Sequence, residues 1–128
     1  MSVAMVSTIG LTENVIVSGP TRKKKIKARI DTGAVISSID RSLAKELKLG
    51  PIIKHKEVKS ASGIKKRPFI KVKVEIMRRK FNFYFNMADR SKLKYRVLIG
   101  QNILRRGFII DPLKYHKPTK IRKDKKKK

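Results

Sequence analysis

Apolar and polar residues alternate over much of this chain, at the period of two that marks strands with one face against a core. Ile70, Val72, Val74 and Ile76 interleave with Lys71, Lys73 and Glu75, predicting a half-buried strand with a charged outer face. Phe81, Phe83 and Phe85 repeat the pattern and are read as core. Met77-Arg78-Arg79 between the two runs reads as a hairpin loop. Upstream, Glu13 to Val17 predicts a strand that ends at the turn signature Ser18-Gly19-Pro20. Lys24 to Ile30 then alternates Lys and Arg with Ile26, Ala28 and Ile30, giving a hairpin with a basic tip. Ser62-Gly63 marks another turn, and Val35 to Ile39 is a further β-like run.

Helical spacing is confined to two short stretches. Asp40 stands where an N-cap belongs, Leu43 and Leu47 lie four apart on one face, and Gly50-Pro51 stops a helix expected over Arg41 to Lys48. A second short helix is expected over Asn102 to Arg106, capped by Gly107 and followed by a closing strand, Phe108-Ile109-Ile110. Val97-Leu98-Ile99 is a continuous apolar run ending at Gly100, as in a strand buried on both faces. The pattern predicts an all-β chain with one or two short helices.

A length of 128 residues supports one domain. With no Trp, the core must be built mainly from Ile, Val and Leu. The absence of Cys rules out disulfides and thiolate metal sites, and a reducing cytoplasm is expected. His55 and His116 stand alone and are read as surface residues, so neither a metal nor another cofactor is expected. Met1 to Leu11 lacks the basic start of a signal peptide, and no apolar run is long enough to span a membrane.

Charge changes the picture most. Lys and Arg number 35 against nine Asp and Glu, for a formal charge of +26. That is far more than solubility requires, and it points to a polyanionic partner. Candidate phosphate-binding residues fall in loops and ends: Arg22, Lys23, Lys24 and Lys25; Lys65, Lys66 and Arg67; Arg78, Arg79 and Lys80; Arg105 and Arg106. Lys120, Arg122, Lys123, Lys125, Lys126, Lys127 and Lys128 extend the set into residues 117–128, read as a polybasic tail on a domain of residues 1–116. No recognition helix or RNA-motif signature accompanies them, so contact with phosphates is expected and base-specific reading is not. The expected partner is RNA, foremost rRNA in a ribosome.

The candidate chemistry lies at Asp31-Thr32-Gly33, between two β-like runs. The tripeptide makes a good turn, and it is also what an aspartic peptidase needs: an acid on a tight turn, with glycine allowing close backbone approach. Val97 to Leu104 downstream resembles the apolar-apolar-Gly segment and following helix of retropepsins. The chain is similar in particular to the bacterial and archaeal retropepsin-like family known as ATP-dependent zinc proteases. The similarity runs through Ile30 to Ala34, Arg67 to Ile70, Ala88 to Ser91, Leu98 to Gly100 and Phe108 to Pro112.

That resemblance implies a closed acid-protease barrel that dimerises to bring two Asp31 carboxylates together, with Asp31, Thr32 and Gly33 as the catalytic turn only when the dimer forms. It further implies a flap at Ser60 to Lys66, whose basic residues suit an acidic polypeptide substrate. Val35 and Gln101 stand where many retroviral members carry an acid and an arginine, and the chain ends in lysines where they carry an apolar interface strand. Two readings follow: a basic, ribosome-associated RNA-binding protein on a retropepsin fold, and a homodimeric aspartic endopeptidase.

Overall fold

The computed structural model describes residues 5–116 apart from Ser62. The polybasic stretch 117–128, with its seven candidate RNA contacts, lies outside the described residues. The elements are β1 (Ser7–Ile9), β2 (Thr12–Ser18), β3 (Lys23–Ile30), β4 (Ser37–Asp40), α1 (Arg41–Glu46), β5 (Lys54–Ser60), β6 (Gly63–Ile76), β7 (Arg79–Ala88), β8 (Val97–Ile99), α2 (Gln101–Leu104) and β9 (Phe108–Ile110).

Strands pair in the order β2-β3-β8-β4-β7-β6, and β6 returns to β2 through Ile16↔Glu75, Val17↔Val74 and Ser18↔Lys73, closing a barrel. Closure gives each of these six strands a neighbour on both sides for part of its length, with β3 meeting β8 only at Arg29 and Ile30 and β7 meeting β4 only from Phe85 to Ala88. At 14 residues β6 outruns the barrel. Its first half pairs with β5 to form a projecting hairpin, from Lys54↔Phe69 to Ser60↔Gly63. β1 and β9 form a separate two-stranded parallel sheet.

The alternation read from sequence sets the barrel wall. Val15, Val17, Ile70, Val72, Val74, Ile76 and Phe85 are buried in one core cluster with Leu43 of α1 and Leu47 at its C-terminal end. Phe81 and Phe83 are partly buried against that core and meet edge to face at 5.7 Å. Both histidines are exposed.

Four boundaries differ from expectation. The β6–β7 loop is only Met77-Arg78, because both residues take positive φ (52° and 65°), and Arg79 already pairs with Ile76. Two such residues make the turn whose twist matches a tight hairpin. α1 ends at Glu46, with Leu47 as its cap and Lys48 left-handed at φ 56°. α2 starts at Gln101 and ends at Leu104. Val35 is 66% exposed and lies before β4, so the apolar run at 35–39 is half loop.

Candidate active site and cationic surfaces

The site is built where β8 threads between β3 and β4. It runs parallel to β3 (Arg29↔Leu98, Ile30↔Ile99) and antiparallel to β4 (Ser38↔Leu98, Ile39↔Val97). The loop from Asp31 to Ile36 therefore arches over the end of β8. Asp31 donates its N–H to Ile99 O at 2.9 Å, fixing the start of the loop. Gly33 donates its N–H to Asp31 Oδ1 at 2.9 Å, and a methyl group at position 33 would approach that oxygen to 3.3 Å. Asp31 is partly exposed, and Thr32 and Gly33 are exposed.

The position that lacks the retroviral arginine is not idle. Gln101 donates Nε2–H to Thr32 O at 2.8 Å and its backbone N–H to Ala34 O at 2.8 Å, while Arg105 donates to Gln101 Oε1 at 3.2 Å. Asn102 accepts from Ser37 N and Oγ (3.0 and 2.8 Å) and donates to Tyr84 O. Ser37 Oγ in turn accepts from Gly100 N at 2.9 Å. The turn that carries Asp31 is thus held from below by hydrogen bonds among neutral groups, with the exposed Arg105 as the one charged member and no buried charge to desolvate.

Asp40 is a second acid that the sequence placed only as an N-cap. Its backbone is extended at the cap position, but its side chain makes no cap bond. Its carboxylate accepts from Ser42 Oγ, from Arg90 N–H (2.8 Å) and from Arg96 Nε (3.1 Å), and its side chain is only 1% exposed. Burial alone would raise its pKa; the bonds from Ser42, Arg90 and Arg96 outweigh burial and hold it below the ordinary carboxylate range. A lowered carboxyl pKa adds stability that is present above the unfolded value, about 3.9, and is lost as pH falls through the folded value. Asp40→Asn is expected to lower stability at pH 7 by about 2–3 kcal/mol. It is also expected to flatten the loss of stability below about pH 4, which thermal melts from pH 7 to pH 3 would read.

Arg90 donates Nε–H to Tyr95 O at 2.9 Å. Burial first, then the like charges of Arg67 and Arg29, push its pKa down, against the opposing pull of Asp40 and Asp31. Arg90 is therefore within electrostatic reach of Asp31, Arg29 and Arg67, and Arg67 is oriented by Asn86 Oδ1 at 3.2 Å.

The other predicted cations separate into bound and free. Arg22 and Lys24 pair with Glu46 (3.4 and 3.1 Å). Arg79 donates to the carbonyls of Gly107 (2.8 Å) and Arg106, and stacks on Phe81 and Phe108. Arg106 lies over Phe83. Lys23, Lys25, Lys65, Lys66, Arg78 and Lys80 are exposed. Strand alternation thus divides the cluster at 22–25, where Lys23 and Lys25 are exposed and Lys24 is paired, which a count of charges in a window cannot show. Outward-facing Lys27, Lys71 and Lys73 were not among the candidates, although their positions in the alternating runs carried the signal.

Among the described residues no three of His, Cys, Asp and Glu come together as metal ligands, and no helix is long and apolar enough to cross a membrane. No protein-family model and no curated protein matches the sequence. Solved structures do match. The EIAV protease bound to the inhibitor HBY-793 is 19% identical, with a TM-score of 0.61 over 73% of this chain and 84% of that one. A Legionella pneumophila (strain Philadelphia 1) protein of unknown function (DUF785) is 18% identical, with a TM-score of 0.59 over 83% of this chain and 93% of that one. With the six-stranded closure and the threaded β8, these likenesses give the chain a retropepsin-like, closed all-β barrel fold.

Proposed function

We propose that the chain is one subunit of an aspartic endopeptidase in which two copies each supply Asp31. The observation that supports this is the held turn: Asp31 Oδ1 on Gly33 N–H, with Gln101 and Asn102 bracing the loop from beneath.

In the reaction, one carboxylate takes a proton from water as the water oxygen bonds to the scissile carbonyl carbon. The other, protonated, carboxyl gives its proton to the carbonyl oxygen, and collapse of the tetrahedral species protonates and expels the amine. Arg29 and Arg90 near the turn, and Lys65, Lys66 and Arg67 on the β5–β6 hairpin, favour an acidic polypeptide as substrate. A dimer in solution and cleavage of a Glu/Asp-rich peptide library, lost in Asp31→Asn, are the expected results. Cleavage that survives the substitution would end this reading.

The second reading keeps the fold and assigns the function to charge: RNA binding, foremost to rRNA in a ribosome, by a monomer. It is favoured by the formal charge of +26, a strong obstacle to pairing two copies, and by lysines on the outer barrel wall. Co-sedimentation with ribosomes is expected at 50 mM salt and to fall steeply by several hundred millimolar. Equal binding at both salts would remove this reading.

A further inference from the structure

One wall of the barrel carries cations on three strands, β3, β6 and β7, set in register across β2. On β2, Val15 and Val17 point inward, so Asn14, Ile16 and Ser18 point outward. Lys23 pairs with Ser18, Ser18 with Lys73, and Lys73 with Asn82, which gives one outward row across β3, β2, β6 and β7. The adjacent row is Lys25, Ile16, Glu75 and Lys80. Lys27 extends the array at β3 and Lys71 at β6, beside Tyr84. Strand geometry sets these lysines about 7 Å apart along a strand and about 5 Å per strand across the sheet. Among the described residues Glu75 is the single carboxylate on this wall.

Two shallow depressions of about 320 and 340 Å³ adjoin on the same wall, sharing Lys71 and Asn82. The first is also lined by Lys48 and Lys73, the second by Phe83 and Tyr84 and, where it meets the end of the Asp31 loop, by Ile36 and Asn102. Lys54 and Lys71 lie over the Tyr84 ring at 4.7 and 5.1 Å.

We infer that this wall binds the backbone of single-stranded RNA, with phosphates on the lysine rows and a base at Tyr84. The lysines project from the face of the sheet and not from a strand edge, where an added peptide strand would have to pair, whereas a phosphodiester chain needs only reachable cations. Ile16 is the one outward aliphatic residue in the two rows, too little to anchor a membrane surface. Tyr84 offers a stacking face that paired bases cannot use.

The inference rests on the RNA reading above, not on the peptidase reading. The test therefore uses full-length Asp31→Asn protein, with a labelled oligouridine in anisotropy titrations from 50 to 300 mM KCl. Lys25→Gln/Lys73→Gln/Lys80→Gln is expected to bind at least about tenfold more weakly at 50 mM, with a log–log salt slope shallower by about 2, near 0.7 per phosphate contact. Tyr84→Ala is expected to bind about tenfold more weakly with the slope unchanged, since it removes stacking and no charge.

Circular dichroism checks that the variants keep the barrel. If the parent protein fails to bind at 50 mM, the RNA reading and this inference fall together while the peptidase reading stands. If the parent binds, and Lys65→Gln/Lys66→Gln on the hairpin takes the loss in place of the wall variant, RNA binding stands and the wall is the wrong surface. Displacement of the RNA by polyglutamate at equal charge concentration would overturn RNA in favour of an acidic protein partner.

Discussion

Asp31→Asn is expected to reduce peptide cleavage by at least about 10³-fold while leaving the melting temperature within a few degrees of the parent. An amide holds the shape of the turn, and Asn can keep the bond from Gly33 N–H that Asp31 Oδ1 accepts. It cannot share a proton with a second carboxylate, and the acid and base of the reaction come from that sharing. The sharper form of the experiment mixes parent and Asp31→Asn subunits in equal amounts. If each site needs Asp31 from both copies and subunits exchange freely, about one quarter of the parent activity remains, because only pairs of two parent chains work. A retained half would mean that each chain acts alone, which a lone carboxylate on this turn does not explain.

Salt separates the two functional readings by sign. Pairing two chains of formal charge +26 opposes their own repulsion, so added salt favours the dimer and with it cleavage, up to the point where the charges are screened. Phosphate binding moves the other way, because salt removes the gain from counterion release. Cleavage that rises and RNA binding that falls over the same salt range would place both activities on one chain.

The strands and the Asp31 turn were legible in the sequence because each rests on a local signal. Alternation at period two fixed the inner faces of β6 and β7, and the tripeptide with Val97 to Gly100 located the two halves of the site. The bracing of that site was not legible. Gln101, Asn102 and Ser37 meet through contacts more than 60 residues apart in the chain, and nothing in Gln101 itself announces a carbonyl acceptor at Thr32. Asp40 misled for a related reason. It occupies the N-cap position by local rule, but Arg96 and the Arg90 N–H, brought in by β7 and β8, claim its carboxylate. Glu13 was read only as a strand residue and is buried, accepting from Gly10 N–H (2.9 Å) and Tyr115 O–H (3.0 Å) and so pinning residues near 115 to β2.

Gly100→Ala is expected to be the most damaging single-methyl change near the site. Gly100 has φ −105° and ψ −170°, an extended backbone open to any residue, so conformational freedom is not why glycine stands there. Space is. An added Cβ would lie 2.7 Å from Ala34 O, 2.9 Å from Ile36 C and 3.0 Å from Ile36 O, all backbone atoms of the loop that carries Asp31. A flexible side chain could move aside; this loop is tied down by Gln101 N–H to Ala34 O and by Asn102 N–H to Val35 O. Relief therefore requires the loop to lift off β8 or β8 to slide between β3 and β4, and either breaks paired hydrogen bonds. Overpacking of this kind costs about 3 kcal/mol or more, which at about 4–8 °C per kcal/mol lowers the melting temperature by more than about 10 °C. Cleavage should fall further than the folded fraction does, because the displaced loop is the one that positions the carboxylate. A variant melting within about 2 °C of the parent would mean that the loop does not rest on β8 as described, and the braced turn would lose its foundation.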